Sequence, residues 1–244
     1  MSNSGKYYGL KRENKRLSFF KAYTNNDNVT NEMLDIIEKK ITETQPISIL
    51  DLGTGNGYLI REVLRRNKNA LKSSTLIGID SSSVMIEIAN NYLDAEAIEF
   101  IEMDNNRTKF QNDYFDIIIA KAVSNISTTE VYRILKTGGW FIYKEYGPGR
   151  GIVEIMTSMR KRRVHSGDRI VDDMKRMGFG NIELRKFYIP LSRTRDEVRA
   201  ITDTMRILPY GITRDKVTRA IDEYYREKSW KIIHSDPYLI IGQK

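Results

Sequence analysis

Two hydrophobic rhythms alternate along the first two thirds of the chain. Short, nearly unbroken apolar runs occur at ISILD (47–51), TLIGID (75–80), IEFIEMD (98–104), YFDIIIAKAV (114–123) and WFIYKEY (140–146). Their length and β-branched content predict strands. The lack of a polar alternate face predicts burial on both sides, the condition of a parallel sheet. Between the runs, apolar residues recur at every third or fourth position, which predicts helices. YLIREVLRR (58–66) turns Leu59, Ile60, Val63 and Leu64 to one side, and SSSVMIEIANNYL (81–93) turns Val84, Met85, Ile88 and Tyr92 inward behind a serine cap. TTEVYRILK (128–136) is a shorter helix that stops at Gly138–Gly139, and a helix over 28–41 with Met33, Leu34, Ile37 and Ile41 on its face ends before Pro46.

Beyond residue 146 the rhythm loosens. Helices are expected over 151–159 and 168–179, a strand over 181–191, two helices over 194–208 and 213–229 separated by LPYG, and a last strand over 237–244. The pattern as a whole is α/β: a doubly wound, mostly parallel, seven-stranded sheet with a helical insertion before the last strand. The expected organisation is one domain with an N-terminal segment (1–46), a sheet core (47–190), the insertion (191–235) and the final strand (236–244).

Composition narrows the classes. The 244 residues contain no cysteine, so neither a disulfide framework nor thiolate chemistry is available. No run approaches the roughly 20 apolar residues that span a bilayer, and the N-terminus lacks a signal-peptide apolar stretch, so a cytoplasmic location without a membrane partner is expected. The net charge of +8 is uneven: residues 150–244 hold 21 Lys+Arg against 13 Asp+Glu, and the remainder is balanced. A basic C-terminal part suits an anionic partner, and equally a solvated surface.

The candidate chemistry starts at DLGTGNG (51–57), between a strand and a helix. Missing side chains there let backbone N–H groups approach a ligand, and the helix N-terminus adds partial positive charge. A dinucleotide fingerprint needs G-x-G-x-x-G. Gly53 and Gly55 match it, but Tyr58 occupies the third glycine position and Gly57 falls one residue early.

The spacing D-x-G-x-G-x-G instead resembles the first motif of the S-adenosylmethionine-dependent methyltransferases of Rossmann-like fold. Four further elements follow in that family's order: Asp80 ending the second strand, Met103-Asp104 after the third, Phe115-Asp116 in the fourth, and Leu135 to Gly139 before the fifth. The resemblance implies S-adenosyl-L-methionine as cofactor, S-adenosyl-L-homocysteine as product, and no metal. It implies a cofactor site of Asp51, Gly53, Thr54, Gly55, Asp80, Ser81, Met103, Asp104, Asn105 and Lys121. In it Asp80 accepts from the ribose hydroxyls, Asp104 accepts from the adenine amino group, and Asp51 lies near the ammonium.

The acceptor side is read from the strand ends, which face the same crevice. Glu145 and Tyr146, after the fifth strand, are candidate catalytic groups, Glu145 first; the alternative is that Lys144 and Glu145 pair at the surface. His165, behind RKRR (160–163), is a further candidate base. Asn125, Arg206 and Tyr210 are candidate acceptor-binding residues, the last two in an arginine- and tyrosine-rich insertion that reads as an acceptor lid or equally as a solvated helical face; the N-terminal Tyr7–Tyr8 either close over the cofactor or belong to a disordered tail. A small, polar or anionic acceptor follows. The alternatives are nucleic acid, favoured by the basic C-terminal part, and a cofactor-binding protein that transfers no methyl group. Against RNA, KAVSN (121–125) lacks the Asn/Asp-Pro-Pro-aromatic pattern of base-amine methylation, and no cysteine is present to attack a cytosine ring.

Overall fold

The computed structural model describes residues 28–41, 46–91, 97–123, 125–147, 167–204 and 213–244. The expected strands and helices alternate in it: α1 (Asn28–Ile41), β1 (Ser48–Leu52), α2 (Tyr58–Arg66), β2 (Thr75–Asp80), α3 (Ser83–Asn90), β3 (Glu99–Glu102), β4 (Phe115–Lys121), α4 (Thr128–Ile134) and β5 (Leu135–Tyr146). After these come α5 (Asp168–Met177), β6 (Gly180–Lys186), β7 (Ile189–Thr194), α6 (Arg195–Thr204), α7 (Arg214–Tyr224), β8 (Trp230–Ser235) and β9 (Pro237–Gln243). The expected helix over 151–159, together with Tyr7, Tyr8, His165, Arg206 and Tyr210, lies outside the described residues.

Seven strands form one sheet in the order β3-β2-β1-β4-β5-β9-β6. The pairs β1–β2, β1–β4, β2–β3 and β4–β5 are parallel. Strand β9 runs against β5: at one end the Lys244 amide donates to the Gly139 carbonyl and the Lys244 carbonyl accepts from the Gly138 amide, and at the other the Gly147 amide donates to the Asp236 carbonyl. All five residues of β1 are buried, as expected for a central strand covered on both faces. The core gathers Leu50, Leu52, Ile118, Phe141, Tyr143 and Ile240 at 1% exposure or less. Strand order reverses between β1 and β4, because β1 leads outward through β2 to β3 whereas β4 leads outward the other way. Side chains beyond the C-terminal ends of these two strands are therefore not covered by either crossover, and a crevice forms there.

Local chemistry explains the boundaries. Ser82 caps α3, its hydroxyl accepting from the Met85 amide, and Ser127 caps α4 by accepting from Glu130. Strand β5 begins five residues earlier than the apolar run, because Leu135 pairs with Phe115 before the Gly138 turn (φ 82) and pairing resumes at Trp140 opposite Ile117.

One expected strand is two. Residues 181–191 divide into β6, which closes the main sheet, and β7, which pairs antiparallel with β8 from Ile189↔Ser235 to Thr194↔Trp230. The break falls where the Phe187 amide donates to the Pro237 carbonyl and Pro190 follows, a residue that cannot donate to a central ladder. By its contacts the chain divides into a larger unit (Asn28–Glu145, Gly167–Arg185, Tyr238–Lys244) and a smaller one (Met1–Asp27, Tyr146–Ser166, Lys186–Pro237). Helix α1 belongs to the larger unit. In the smaller unit, α6 and α7 bury Val198, Val217 and Ile221 and are joined by an Arg199–Asp222 ion pair.

Candidate functional site

The site is built on four strand ends, those of β1, β2, β3 and β4. After β1 the chain turns through Gly53 and Gly55, both at positive φ, into α2. The turn is tied to β2: the Thr54 amide donates to the Ile79 carbonyl at 2.8 Å, and the Gly55 amide donates to Asp80 Oδ2 at 3.0 Å. Asp80 Oδ1 accepts from the Ser82 amide at 2.9 Å. A carboxylate offers about four acceptor positions. Two backbone donors therefore fix the Asp80 side chain and leave it capacity for two more donors.

After β3, Asp104 is exposed and its Oδ1 accepts from the Asn106 amide at 2.9 Å. The Asn105 amide is engaged at both ends, donating to the Asn125 carbonyl at 3.1 Å and accepting from Asn106 Nδ2 at 3.2 Å. It ties the turn after β3 to the turn after β4. Gly53, Asp80, Ser81, Asp104, Asn105, Asn106, Ala122, Val123 and Asn125 line a single open cavity of about 470 Å³. That lies within the usual range for a small-molecule or cofactor site.

Six of the residues singled out from sequence meet on this wall: Gly53, Asp80, Ser81, Asp104, Asn105 and Asn125. Asp51 and Thr54 lie under the turn. Asp51 is 2% exposed, and its Oδ2 accepts from the Thr54 hydroxyl at 2.7 Å. Burial pushes the Asp51 carboxyl up to about 7, against the opposing pull of the Thr54 hydroxyl and the Lys121 charge. Lys121 lies with its ammonium 5.4 Å from the centre of the Tyr58 ring. Met103 packs on the core, and its amide donates to the Asp80 carbonyl at 3.0 Å.

The glycines prove bare for different reasons. A Cβ on Gly53 would stand 2.5 Å from Val123 Cγ2, and one on Gly57 would stand 2.6 Å from the Phe100 ring. Both answer to protein packing. Gly55 alone faces open space, with nothing within 4 Å of the corresponding position.

At the end of β5, the expectation of a Lys144–Glu145 surface pair is overturned. Neighbouring strand residues point to opposite faces. Lys144 is fully buried and donates to the Thr30 hydroxyl of α1 at 3.0 Å, whereas Glu145 is half-buried with its carboxylate 3.2 Å from the Tyr143 hydroxyl. Tyr146 ends β5 and falls in the smaller unit. The FD pair of the fourth strand does not line the cavity. Asp116 sits at the start of β4, at the opposite edge of the sheet, where it accepts from the Ser48 amide and hydroxyl and from Lys136. Sequence reasoning missed Asn106, Ala122 and Val123. Asn106 was legible as the neighbour of Asp104–Asn105; nothing in the sequence marks Ala122 or Val123.

Comparison with known proteins agrees with this geometry. Residues 49–139 match the family model for a methyltransferase domain. The malonyl-[acyl-carrier protein] O-methyltransferase of Halalkalibacterium halodurans is 26% identical over 121 residues, 46% of this chain and 43% of that protein. The carboxy-S-adenosyl-L-methionine synthase of Staphylococcus epidermidis is 34% identical over 107 residues, 40% of this chain and 44% of that protein. The chain thus spans less than half the length of these curated relatives. Among solved structures, the YcgJ protein of Bacillus subtilis superposes with a TM-score of 0.61 at 17% identity, covering 88% of this chain and 98% of that one, which is a likeness of fold. Residues 49–139 thus match a methyltransferase domain, and the glycine turn, the acidic strand ends and the sheet order agree with the class I, Rossmann-like fold of S-adenosylmethionine-dependent methyltransferases.

Proposed function

We propose that the protein binds S-adenosylmethionine in the cavity beyond β1, β2 and β3 and transfers its methyl group to a small, polar or anionic acceptor. The carrying observation is the convergence of Gly53, Asp80 and Asp104 on one cavity of about 470 Å³. The residues fit the cofactor. Asp80, held by two backbone amides, has the acceptor positions left for a ribose diol, at about 1.5–3 kcal/mol for each charge-assisted bond. Asp104 stands at the far wall with acceptor capacity for an amino group. The open space at Gly55 admits the amino-acid portion, and the buried Asp51 carboxyl beneath it offers a counter-charge to an ammonium.

When bound, the cofactor supplies a methyl group on a sulfonium, open to in-line displacement. What the chain contributes is alignment and exclusion of water. Among the described candidates, Asn125 lines the cavity beside the post-β4 turn and is assigned to the acceptor side, and Glu145 is assigned to orient the acceptor or hold its proton. Arg206 and Tyr210 keep their proposed acceptor role on the strength of residue type alone, as does His165 as an alternative base.

A second reading has a specific support. The similar carboxy-S-adenosyl-L-methionine synthase is named for a reaction other than methyl transfer. One experiment separates the two. Calorimetric titration with S-adenosylmethionine, S-adenosylhomocysteine and NAD identifies the cofactor, and incubation with panels of anionic small molecules reads S-adenosylhomocysteine release. Micromolar binding of the first two with turnover on an acceptor supports methyl transfer. Tight binding with no S-adenosylhomocysteine formed on any acceptor favours the second reading, and binding of NAD alone overturns both.

A further inference from the structure

Two cavity residues sit in an unusual turn. Ala122 follows β4 with φ 58, a left-handed conformation that costs a non-glycine residue roughly 1–2 kcal/mol. Such a residue persists only where its surroundings hold it. Both restraints come from consecutive residues of β5. The Ala122 amide donates to the Lys144 carbonyl at 2.9 Å, and the Tyr143 hydroxyl lies 2.8 Å from the Val123 carbonyl. The held turn presses Val123 toward Gly53, so closely that Gly53 has no room for a Cβ.

We propose that Tyr143 is a positioning residue for the cofactor cavity: its hydroxyl holds the strained Ala122–Val123 turn and thereby sets the Val123 wall opposite Gly53. The inference rests on the cofactor reading above and deepens it, since Tyr143 is not itself on the cavity wall. Three further observations carry it. Tyr143 is 1% exposed and cannot swing away, because its ring stacks on Phe141 at 5.9 Å and meets Tyr238 edge-on at 6.1 Å. Its hydroxyl has one proton to donate; beside the Tyr238 hydroxyl it faces the Val123 carbonyl at 2.8 Å and the Glu145 carboxylate at 3.2 Å, and the nearer of these two is the one that holds the turn. Burial, with Glu145 and Tyr238 beside it, drives the hydroxyl well above the ordinary phenol range, so it remains a donor at any working pH.

A residue that only fills the core would give a different pattern from one that sets the turn. The test compares S-adenosylhomocysteine affinity by calorimetry, and stability by urea unfolding, for Tyr143→Phe, Phe115→Leu, and Ala122→Gly alone and combined with Tyr143→Phe. Tyr143→Phe keeps the ring and is expected to lose at least threefold in affinity. Phe115→Leu, in the same core but at the start of β4 and away from the turn, is expected to lower the urea midpoint while binding within threefold of the wild type. Adding Ala122→Gly removes the left-handed penalty. It is expected to recover at least half of the logarithmic affinity loss, and to raise the urea midpoint more in the Tyr143→Phe background than in the wild type. Tyr143→Phe binding within threefold of wild type overturns the proposal. So does an equal loss in Phe115→Leu, or an Ala122→Gly effect that is the same in both backgrounds. Wild-type protein that binds no S-adenosylhomocysteine sinks the cofactor reading and this inference with it, whereas normal wild-type binding with unchanged Tyr143→Phe binding sinks the inference alone.

Discussion

The two edges of the main sheet treat the same side chain in opposite ways. At the starting edge, Asp116 accepts from the Ser48 hydroxyl at 2.7 Å, the Ser48 amide at 2.8 Å and the Lys136 ammonium at 2.8 Å. Burial pushes its carboxyl up, but the hydrogen bonds from Lys136 and Ser48 together outweigh burial and hold it below the usual range. At the finishing edge, Asp51 is more deeply buried with one hydroxyl donor, and its carboxyl is raised to about 7. Asp80 is held there by backbone amides that fix the side chain without saturating it. The first edge completes its charges internally and gains stability. The second leaves acceptor capacity open toward a ligand, the usual conflict between stability and function.

The comparison is tested hardest by removing Asp80. Asp80→Ala strips the two acceptor positions assigned to the ribose diol and should weaken S-adenosylhomocysteine binding by about 3 kcal/mol, on the order of 100-fold. Calorimetry reads this directly. A loss under about tenfold would take Asp80 out of the cofactor site. The reverse experiment is Asp116→Ala at the other edge. It leaves Lys136 and the Ser48 amide without this acceptor, while the Ser48 hydroxyl keeps the Tyr114 carbonyl at 2.8 Å, and should cost about 1–3 kcal/mol in urea unfolding, with cofactor affinity unchanged. An affinity change as large as that of Asp80→Ala would mean the edges are not independent.

Which parts of this were legible in the sequence follows from the same contrast. Strand interiors such as SILDL and FDIIIAK read correctly because burial on both faces leaves a continuous apolar run. At the finishing edge the turn was legible because residue types are confined there: glycine where the backbone takes positive φ or packs closely, and aspartate at the strand ends, with Gly53, Asp80 and Asp104 on the cavity wall. Asp116 was legible only as part of a motif in the fourth strand; its role came from the long-range partners Ser48 and Lys136, which the sequence does not mark. Ala122 and Val123 carried no signal, because their role comes from a backbone angle and from a contact with Gly53. The break between β6 and β7 was hidden for a related reason. The apolar character of 181–191 continues through it, and only the long-range Phe187–Pro237 bond shows where the chain leaves the sheet.

Asp51 sharpens the contrast through pH. Its folded pKa, about 7, lies above the ordinary value of 3.8, so the folded state holds the proton more tightly than the unfolded chain. The sign follows by linkage: the group favours folding most below pH 4, and that advantage is lost as pH rises through 7. Asp51→Asn keeps the acceptor oxygen for Thr54 and removes the charge. It should raise the melting temperature by about 2–4 °C at pH 8, corresponding to about 1 kcal/mol, and the gain should vanish near pH 4. The same variant should bind S-adenosylhomocysteine more weakly at pH 8, where the missing charge matters. A melting temperature unaffected at either pH would show that the carboxyl is ionised at no cost, and the contrast with Asp116 would fail.

The smallest effect separates position from partnership. Glu130 opens α4, and its Oε1 accepts from the Thr108 amide at 2.9 Å and the Thr108 hydroxyl at 2.6 Å. Arg133 binds both of its oxygens and also reaches the Phe110 carbonyl at 2.8 Å. The pair thus anchors the segment that continues from the cavity residues Asp104 to Asn106. Unlike Asp80 and Asp51, this carboxylate is already saturated, and the Arg133 hydrogen bonds, helped by those of Thr108, lower it from 4.5 to about 2 against burial. Here the sign is opposite to that of Asp51. A depressed pKa contributes stability that is complete above pH 4.5 and disappears as pH falls toward 2. Because the pair is partly exposed, Glu130→Gln should cost no more than about 1 kcal/mol at pH 7. The difference from the wild type should shrink steadily in urea titrations taken from pH 5 to pH 3. If the variant loses as much at pH 3 as at pH 7, the stabilisation comes from hydrogen-bond geometry that the amide cannot copy, and the carboxylate charge is not what anchors the cavity rim.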